Sequence, residues 1–156
     1  MSAGQVAFWA AGVPMPQGSK RIGRNRATGA PVLIDDNKEL KGWREVVDHY
    51  ARRAVNGAAA IDAPCAVDLA FYMPRPRGHY RADGVTLRAS APAVWCAVKP
   101  DVDKLSRAVL DSLTSAGVWA EDSRAVILRA SMEYAALPHE AGVRVLVSEL
   151  KAGVLA

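Results

Sequence analysis

The sequence predicts a single α+β domain in which a mixed β-sheet packs with two main helices. Three observations lead there. The chain has 156 residues, the size of one domain with a core of its own. Stretches of strand-like alternation are interleaved irregularly with two stretches of helical period, which favours α+β over a regular βαβ array. No repeat, low-complexity tract or interdomain linker divides the chain, so residues 1–156 are expected to fold as one unit.

The elements follow in order. "QVAFWAAG" reads as a short opening strand. "VPMPQGSKRIGRNRATGAP" is rich in Gly and Pro and carries Lys20, Arg21, Arg24 and Arg26 with no acid, so it is expected to be a long positive loop without regular structure. "NKELKGWREVVDHYARRAV" reads as a helix with Leu40, Trp43, Val47, Tyr50 and Ala54 on its apolar face, Asn37 as N-cap and Gly57 as stop. "CAVDLAFYM" alternates, with Cys65, Val67, Leu69, Phe71 and Met73 facing one way. "PRPRGHYRADG" is a second Pro/Gly loop, carrying Arg75, Arg77 and Arg81. After Pro100 a helix places Leu105, Val109 and Leu113 one turn apart and ends at Gly117. "RAVILRASMEY" alternates, with Val126, Leu128, Ala130, Met132 and Tyr134 on one side. "VRVLVSEL" is the closing strand.

Composition narrows the function. Hydrophobic residues make up 51% and mean hydropathy is +0.02, as in a soluble globular protein. No apolar run approaches the ~20 residues of a membrane helix, and no basic segment precedes the apolar part of the N-terminus as in a signal peptide. Cys65 and Cys96 lack metal-type spacing and His49, His79 and His139 are scattered, which argues against zinc and for a reducing cytoplasm. No Gly-rich phosphate loop, dinucleotide fingerprint, G-x-S-x-G motif or Cys-His nucleophile pattern occurs, so no small-molecule cofactor is expected. Residues 1–99 hold 14 Lys and Arg against 8 Asp and Glu, whereas residues 100–156 hold 6 against 8. A basic part joined to clustered carboxylates suits a polyanion held beside a metal.

The carboxylates stand in "KPDVDKLSRAVLDSL" and "WAEDS": Asp101 and Asp103 at the start of a helix, Glu121 and Asp122 just beyond its end. Helix capping explains one N-terminal Asp fully and two for the most part. Glu121-Asp122 could equally be a turn. The functional reading is that these acids converge on Mg²⁺, which takes oxygen ligands and keeps several waters. The metal would relieve their repulsion, lower the pKa of an attacking water and stabilise charge on a phosphate. A two-carboxylate glycosidase is disfavoured by the basic surface.

"KPDVDKLSRAVLDSL" followed by "GVWAEDS" resembles the RusA family of Holliday junction resolvases, whose core reads K-P-D-x-D-N-L-x-K, then a helix ending D-x-L and a D-D or E-D pair. "GVPMPQGSKRIGRNRATG" is similar to the family's opening basic loop and "FYMPRPRGHY" to its strand and P-R-P loop. The resemblance spans nearly the whole chain, and residues 99–122 are its specific part. It implies a homodimeric, RusA-like α+β fold and a Mg²⁺-dependent endodeoxyribonuclease, with Mn²⁺ as a substitute, that resolves four-way junctions by paired nicking in recombination, repair or phage DNA processing. Matched position by position, Asp101, Asp103 and Asp122 take the places of the catalytic, metal-binding aspartates, and Glu121 that of their acidic neighbour.

The sequence departs from the pattern at two places. Lys104 replaces the usual Asn, and Arg107 the usual catalytic Lys. A Lys that often appears in the later strand region falls near Met132. Lys104 or Arg107 is then the cation that stabilises the transition state. Three apart, they share a helix face, and Asp103 lies four residues before Arg107, within pairing reach. Lys20, Arg21, Arg24, Arg26, Arg75, Arg77 and Lys99 are candidates for DNA backbone contacts. Two alternatives remain open at this level: a nuclease for other branched DNA, and a non-catalytic DNA-structure-binding protein whose acids only cap helices.

Overall fold

A computed structural model describes residues 4–18, 21–34 and 38–153. Four strands form the main sheet: β1 (Gln5–Ala11), β4 (Cys65–Met73), β5 (Ala125–Tyr134) and β6 (Gly142–Glu149). Their order is β1-β6-β4-β5. β6 runs antiparallel to both β1 and β4, and β5 runs parallel to β4, so the sheet is mixed as expected. Two helices, α1 (Lys38–Val55) and α2 (Val102–Ser115), supply the other layer. No described helix is long and apolar enough to cross a membrane.

The core lies between sheet and helices. Alternation sends Val67, Leu69 and Phe71 of β4 and Val143, Val145 and Val147 of β6 inward, where all are buried. They meet Trp43, Val47 and Ala51 of α1 and Leu105, Val109 and Leu113 of α2 in one cluster. Tyr50 and Ala54 are half-buried against it. A polar contact also ties the helices: Arg52, held by Asp48 one turn earlier in α1, donates to the Ser115 carbonyl at the end of α2 at 2.7 Å. Asn37, the expected cap of α1, lies outside the described residues.

The Gly/Pro-rich segment after β1 differs from the expectation of irregular loop. Arg21–Arg24 (β2) and Pro31–Ile34 (β3) pair antiparallel as a separate hairpin. The turn explains it. Asn25 accepts two backbone N–H groups on its side chain, from Ala27 at 2.8 Å and Thr28 at 3.4 Å. Gly29 sits at φ +68°, where a glycine is accommodated without strain. The strands have four residues each, too few to show alternation.

β5 also differs in detail. The parallel register carries Cys65 to Ala125 and Ala66 to Ile127, so Val126 is skipped at an irregularity. Leu128, Ala130, Met132 and Tyr134 keep the expected shared face, but Val126 does not pair with them in register.

Candidate active site

α2 begins where the chain leaves Lys99-Pro100, a cis peptide bond. Asp101 occupies the N-cap with extended backbone, and its carbonyl accepts the Leu105 N–H at 3.1 Å. Its side chain makes no capping hydrogen bond. The carboxylate instead lies 3.7 Å from Lys104 Nζ, in a partly exposed pair. Capping therefore does not account for the Asp101 side chain.

One face of α2 carries Leu105, Val109 and Leu113 into the core. Asp103, Ser106, Arg107, Leu110 and Asp111, at the i, i+3, i+4, i+7, i+8 positions of one stripe, line a cavity. That cavity has a volume of about 810 Å³. Its remaining lining residues are Gln17, Gly18, Lys104, Asp122 and Leu128. The segment after β1 reaches it because Pro14 is buried, Met15 packs on the core, and the Gln17 N–H donates to the Lys104 carbonyl at 3.0 Å.

Asp122 arrives from the far end of α2, and its place is set on both sides. Before it, the Trp119 ring is buried and its Nε1 donates to Thr114 Oγ1 at 2.8 Å. The Ile61 N–H donates to the Val118 carbonyl, and the Ala120 N–H to the Ile61 carbonyl. After it, Arg124 donates to Asp62 Oδ1 from Nε at 2.9 Å and from Nη2 at 2.6 Å. Asp122 opens the short turn between these anchors. Glu121 sits just before that turn and accepts the Ser123 hydroxyl at 3.1 Å.

Of the acids singled out in the sequence, Asp103 and Asp122 meet in the cavity, with Lys104 and Arg107 beside them. Asp101 adjoins it through Lys104. Glu121 does not line it. Among the described residues, no three Asp, Glu, His or Cys side chains stand together as a ready-made metal cluster. Arg107 makes no ion pair within 4.0 Å among the described residues, so the pairing with Asp103 allowed by helical spacing is not formed.

The basic candidates are dispersed. Arg24 and Arg26 are exposed on the β2–β3 hairpin, and Arg77 and Lys99 are exposed on the excursion between β4 and α2. Arg75 is committed elsewhere: its guanidinium donates to the carbonyls of Pro92 and Ala93, and stacks 4.9 Å from the Tyr134 ring centre. Lys20 and the side chain of Arg21 lie outside the described residues. Six lining residues were not foreseen as site residues, Asp111 and Gln17 among them. Asp111 was legible as the eighth residue after Asp103 on the same stripe. Gln17 carried no signal, since nothing in a Gly/Pro-rich run marks one polar residue above another.

Oxygen donors are what a hard divalent cation requires, and Mg²⁺ is commonly held by one or two carboxylates with substrate phosphates and water completing the shell. The Asp103 and Asp122 carboxylates fit that requirement.

A protein-family model described as Endodeoxyribonuclease RusA matches residues 11–147. No curated protein matches the chain.

Proposed function

The chain belongs to the RusA family of Holliday junction resolving endodeoxyribonucleases, which use a divalent metal, and from that membership we propose that its catalytic centre is the cavity lined by Asp103, Asp122, Lys104 and Arg107. In this reading Asp103 and Asp122 hold Mg²⁺, with Asp101 as third carboxylate and Glu121 as acidic neighbour. Mn²⁺ can substitute. The bound metal would supply Lewis acidity at the phosphodiester and lower the pKa of the attacking water. The observation that carries the reading is that residues from three separate parts of the chain, near 17, 103–107 and 122, line one cavity.

The remaining roles follow from chemistry. A guanidinium presents a fork of donors and is a poor proton donor, so Arg107 stabilises charge on the phosphate without delivering a proton. Lys104, held toward Asp101, is the second cation and the one able to give up a proton. Leu110 and Leu128 give the cavity an apolar wall. Arg24, Arg26, Arg77 and Lys99, with Lys20 and Arg21, contact backbone phosphates. Arg75 supports them indirectly by holding its loop closed.

We read the working form as a homodimer, supported by the outer edge of β5. Met132 and Tyr134 use their outward backbone groups to bind Cys96 and Val94. By alternation, the Leu128 and Ala130 backbone groups face the same way, with no partner among the described residues. Val126 (59% exposed), Ile127 (38%) and Leu128 (47%) leave this stretch apolar. Exposed strand edges are normally blunted by lysine, proline or unpaired charge. Residues 125–131 contain neither Lys nor Pro, and Arg129 is bonded to Asp68 of β4. A second copy related by a two-fold axis presents the same neutral edge and would bring two cavities, each lined by a Leu128, to one interface.

The deciding experiment is cleavage of a four-way junction with and without Mg²⁺. Paired, metal-dependent nicks are expected. Binding without nicking under any divalent metal would overturn the reading. Its setting is the cytoplasm of a bacterial cell or phage-infected host, acting on branched DNA.

A further inference from the structure

Trp95 is the most exposed of the four tryptophans. Trp43 and Trp119 are buried in the core and Trp9 lies edge-on to Tyr72, whereas Trp95 is 63% exposed. Its backbone, by contrast, is fixed on both sides. The Arg75 guanidinium donates to the carbonyls of Pro92 and Ala93 at 2.7 and 2.8 Å. The Val94 carbonyl accepts the Tyr134 N–H at 2.8 Å, and the Cys96 N–H donates to the Met132 carbonyl at 3.1 Å. The Cys96 side chain is buried, so alternation turns Trp95 outward. A large apolar ring is thus held in water on a rigid mount, and a ring so held binds at small entropic cost.

The surroundings of the ring select its partner. The excursion between β4 and α2, residues 74–100, holds five Lys and Arg against one acid, Asp83. Asp83 is engaged within the excursion, where it accepts the Thr86 hydroxyl at 2.6 Å and the Val85 and Thr86 N–H groups. Arg77, Arg81, Arg88 and Lys99 are exposed. A second copy related by a two-fold axis through this patch brings the same positive charge and is repelled, whereas a nucleic acid is attracted. The excursion also ends at the catalytic cavity. Asp101 follows Trp95 by six residues, which span at most about 21 Å, or roughly six steps of a stacked strand at ~3.4 Å each. We propose that Trp95 stacks on a DNA base laid bare where strands part at the branch, close to the phosphodiester to be cut. Every base offers a π-face, so the stack is blind to sequence. Within continuous duplex those faces are covered by their neighbours, so the stack favours branched DNA. The proposal rests on the reading of this chain as a junction nuclease and adds a source of selectivity to it.

The test is binding by the full chain, without divalent metal so that nothing is cut, to a four-way junction and to a continuous duplex of matching sequence. Trp95→Ala is expected to weaken junction binding about tenfold or more, the scale of one lost base–aromatic stack, and to leave duplex binding as in the parent chain. The slope of log affinity against log salt should stay the same, because no phosphate contact is lost. Trp95→Phe, which keeps a ring, should recover most of the junction affinity. Melting and sedimentation without DNA should match the parent; Trp95→Gln replaces Trp95→Ala if that variant melts early, with the same result expected. A ring-free variant that binds the junction like the parent, or that loses junction and duplex affinity alike, overturns the proposal and leaves the nuclease reading standing. Loss of self-association in that variant also overturns it, by making the ring a contact between copies. A parent chain that neither prefers the junction over duplex nor cuts it with Mg²⁺ overturns the nuclease reading itself.

Discussion

Asp101, Asp103 and Asp122 differ in their surroundings, and that difference can be measured. Asp103 and Asp122 open into the cavity, so Asp103→Asn and Asp122→Asn should each abolish cleavage while junction binding persists, because the lost charges repel phosphate. Asp101→Asn frees Lys104 as well as removing a carboxylate, and a large rate loss with retained binding is again expected. Near-normal cleavage by any two of the three would remove the assignment. Arg107→Ala should slow single-turnover cleavage by ~10²-fold, the scale of one preorganised charge contact. Arg107→Lys should keep much of the rate. Normal cleavage by Arg107→Ala would move the cationic role elsewhere. At this scale the sequence was informative where spacing carries meaning. Two aspartates one residue apart at a helix start, with an acid pair beyond its end, read directly as a constellation. It was silent where only the fold creates meaning: Gln17 becomes noticeable once its backbone is bonded to the first turn of α2 at the cavity, and Arg75 proves to be a loop latch only once Pro92 and Ala93 are seen beside it.

The helices and the hairpin separate what patterning reveals from what it hides. α1 and α2 are long enough for an apolar stripe to repeat, and both were legible with their core residues. Leu113 is fully buried between α2 and the sheet, so Leu113→Ala should cost about 2–5 kcal/mol in chemical denaturation. The ion pair within α1 has a pH signature. Hydrogen bonding by Arg52 holds the Asp48 carboxyl below its ordinary value of 3.8. A lowered folded-state value means stability that is present above pH 3.8 and lost as pH falls through the lower folded value. Asp48→Asn should therefore flatten the acid limb of the stability curve below pH 4; an unchanged limb would assign that loss to other groups. The β2–β3 hairpin was illegible because its four-residue strands are too short for periodicity and its turn depends on the Asn25 side chain accepting the Ala27 N–H. If it tracks DNA, Arg24→Ala with Arg26→Ala should reduce the slope of log affinity against log salt by ~0.9 for each lost contact. An unchanged slope would take the hairpin off the interface.

For the molecule as a whole, assembly and topology carry the remaining predictions. The Ala130 N–H points away from β4, so Ala130→Pro should leave the internal ladder intact and block pairing at the outer edge of β5. Sedimentation should then report the 16.6 kDa chain alone in place of a dimer, with single nicks replacing paired ones. A variant that remains dimeric would place the interface elsewhere. The presence of a mixed sheet was legible from the mixture of strands and helices, but its order was not, because nothing in an alternating stretch tells which other stretch will lie beside it. That order has a temporal meaning. β1 and β4 touch β6 and not each other in the ladder, so the first and middle strands are joined only through the last one. During synthesis the ribosome will have released Gln17, Asp103 and Asp122 before the strand that closes the sheet has emerged. The cutting centre of this nuclease should thus be assembled only on chains read through to β6, and products that stop short of it should be left without one.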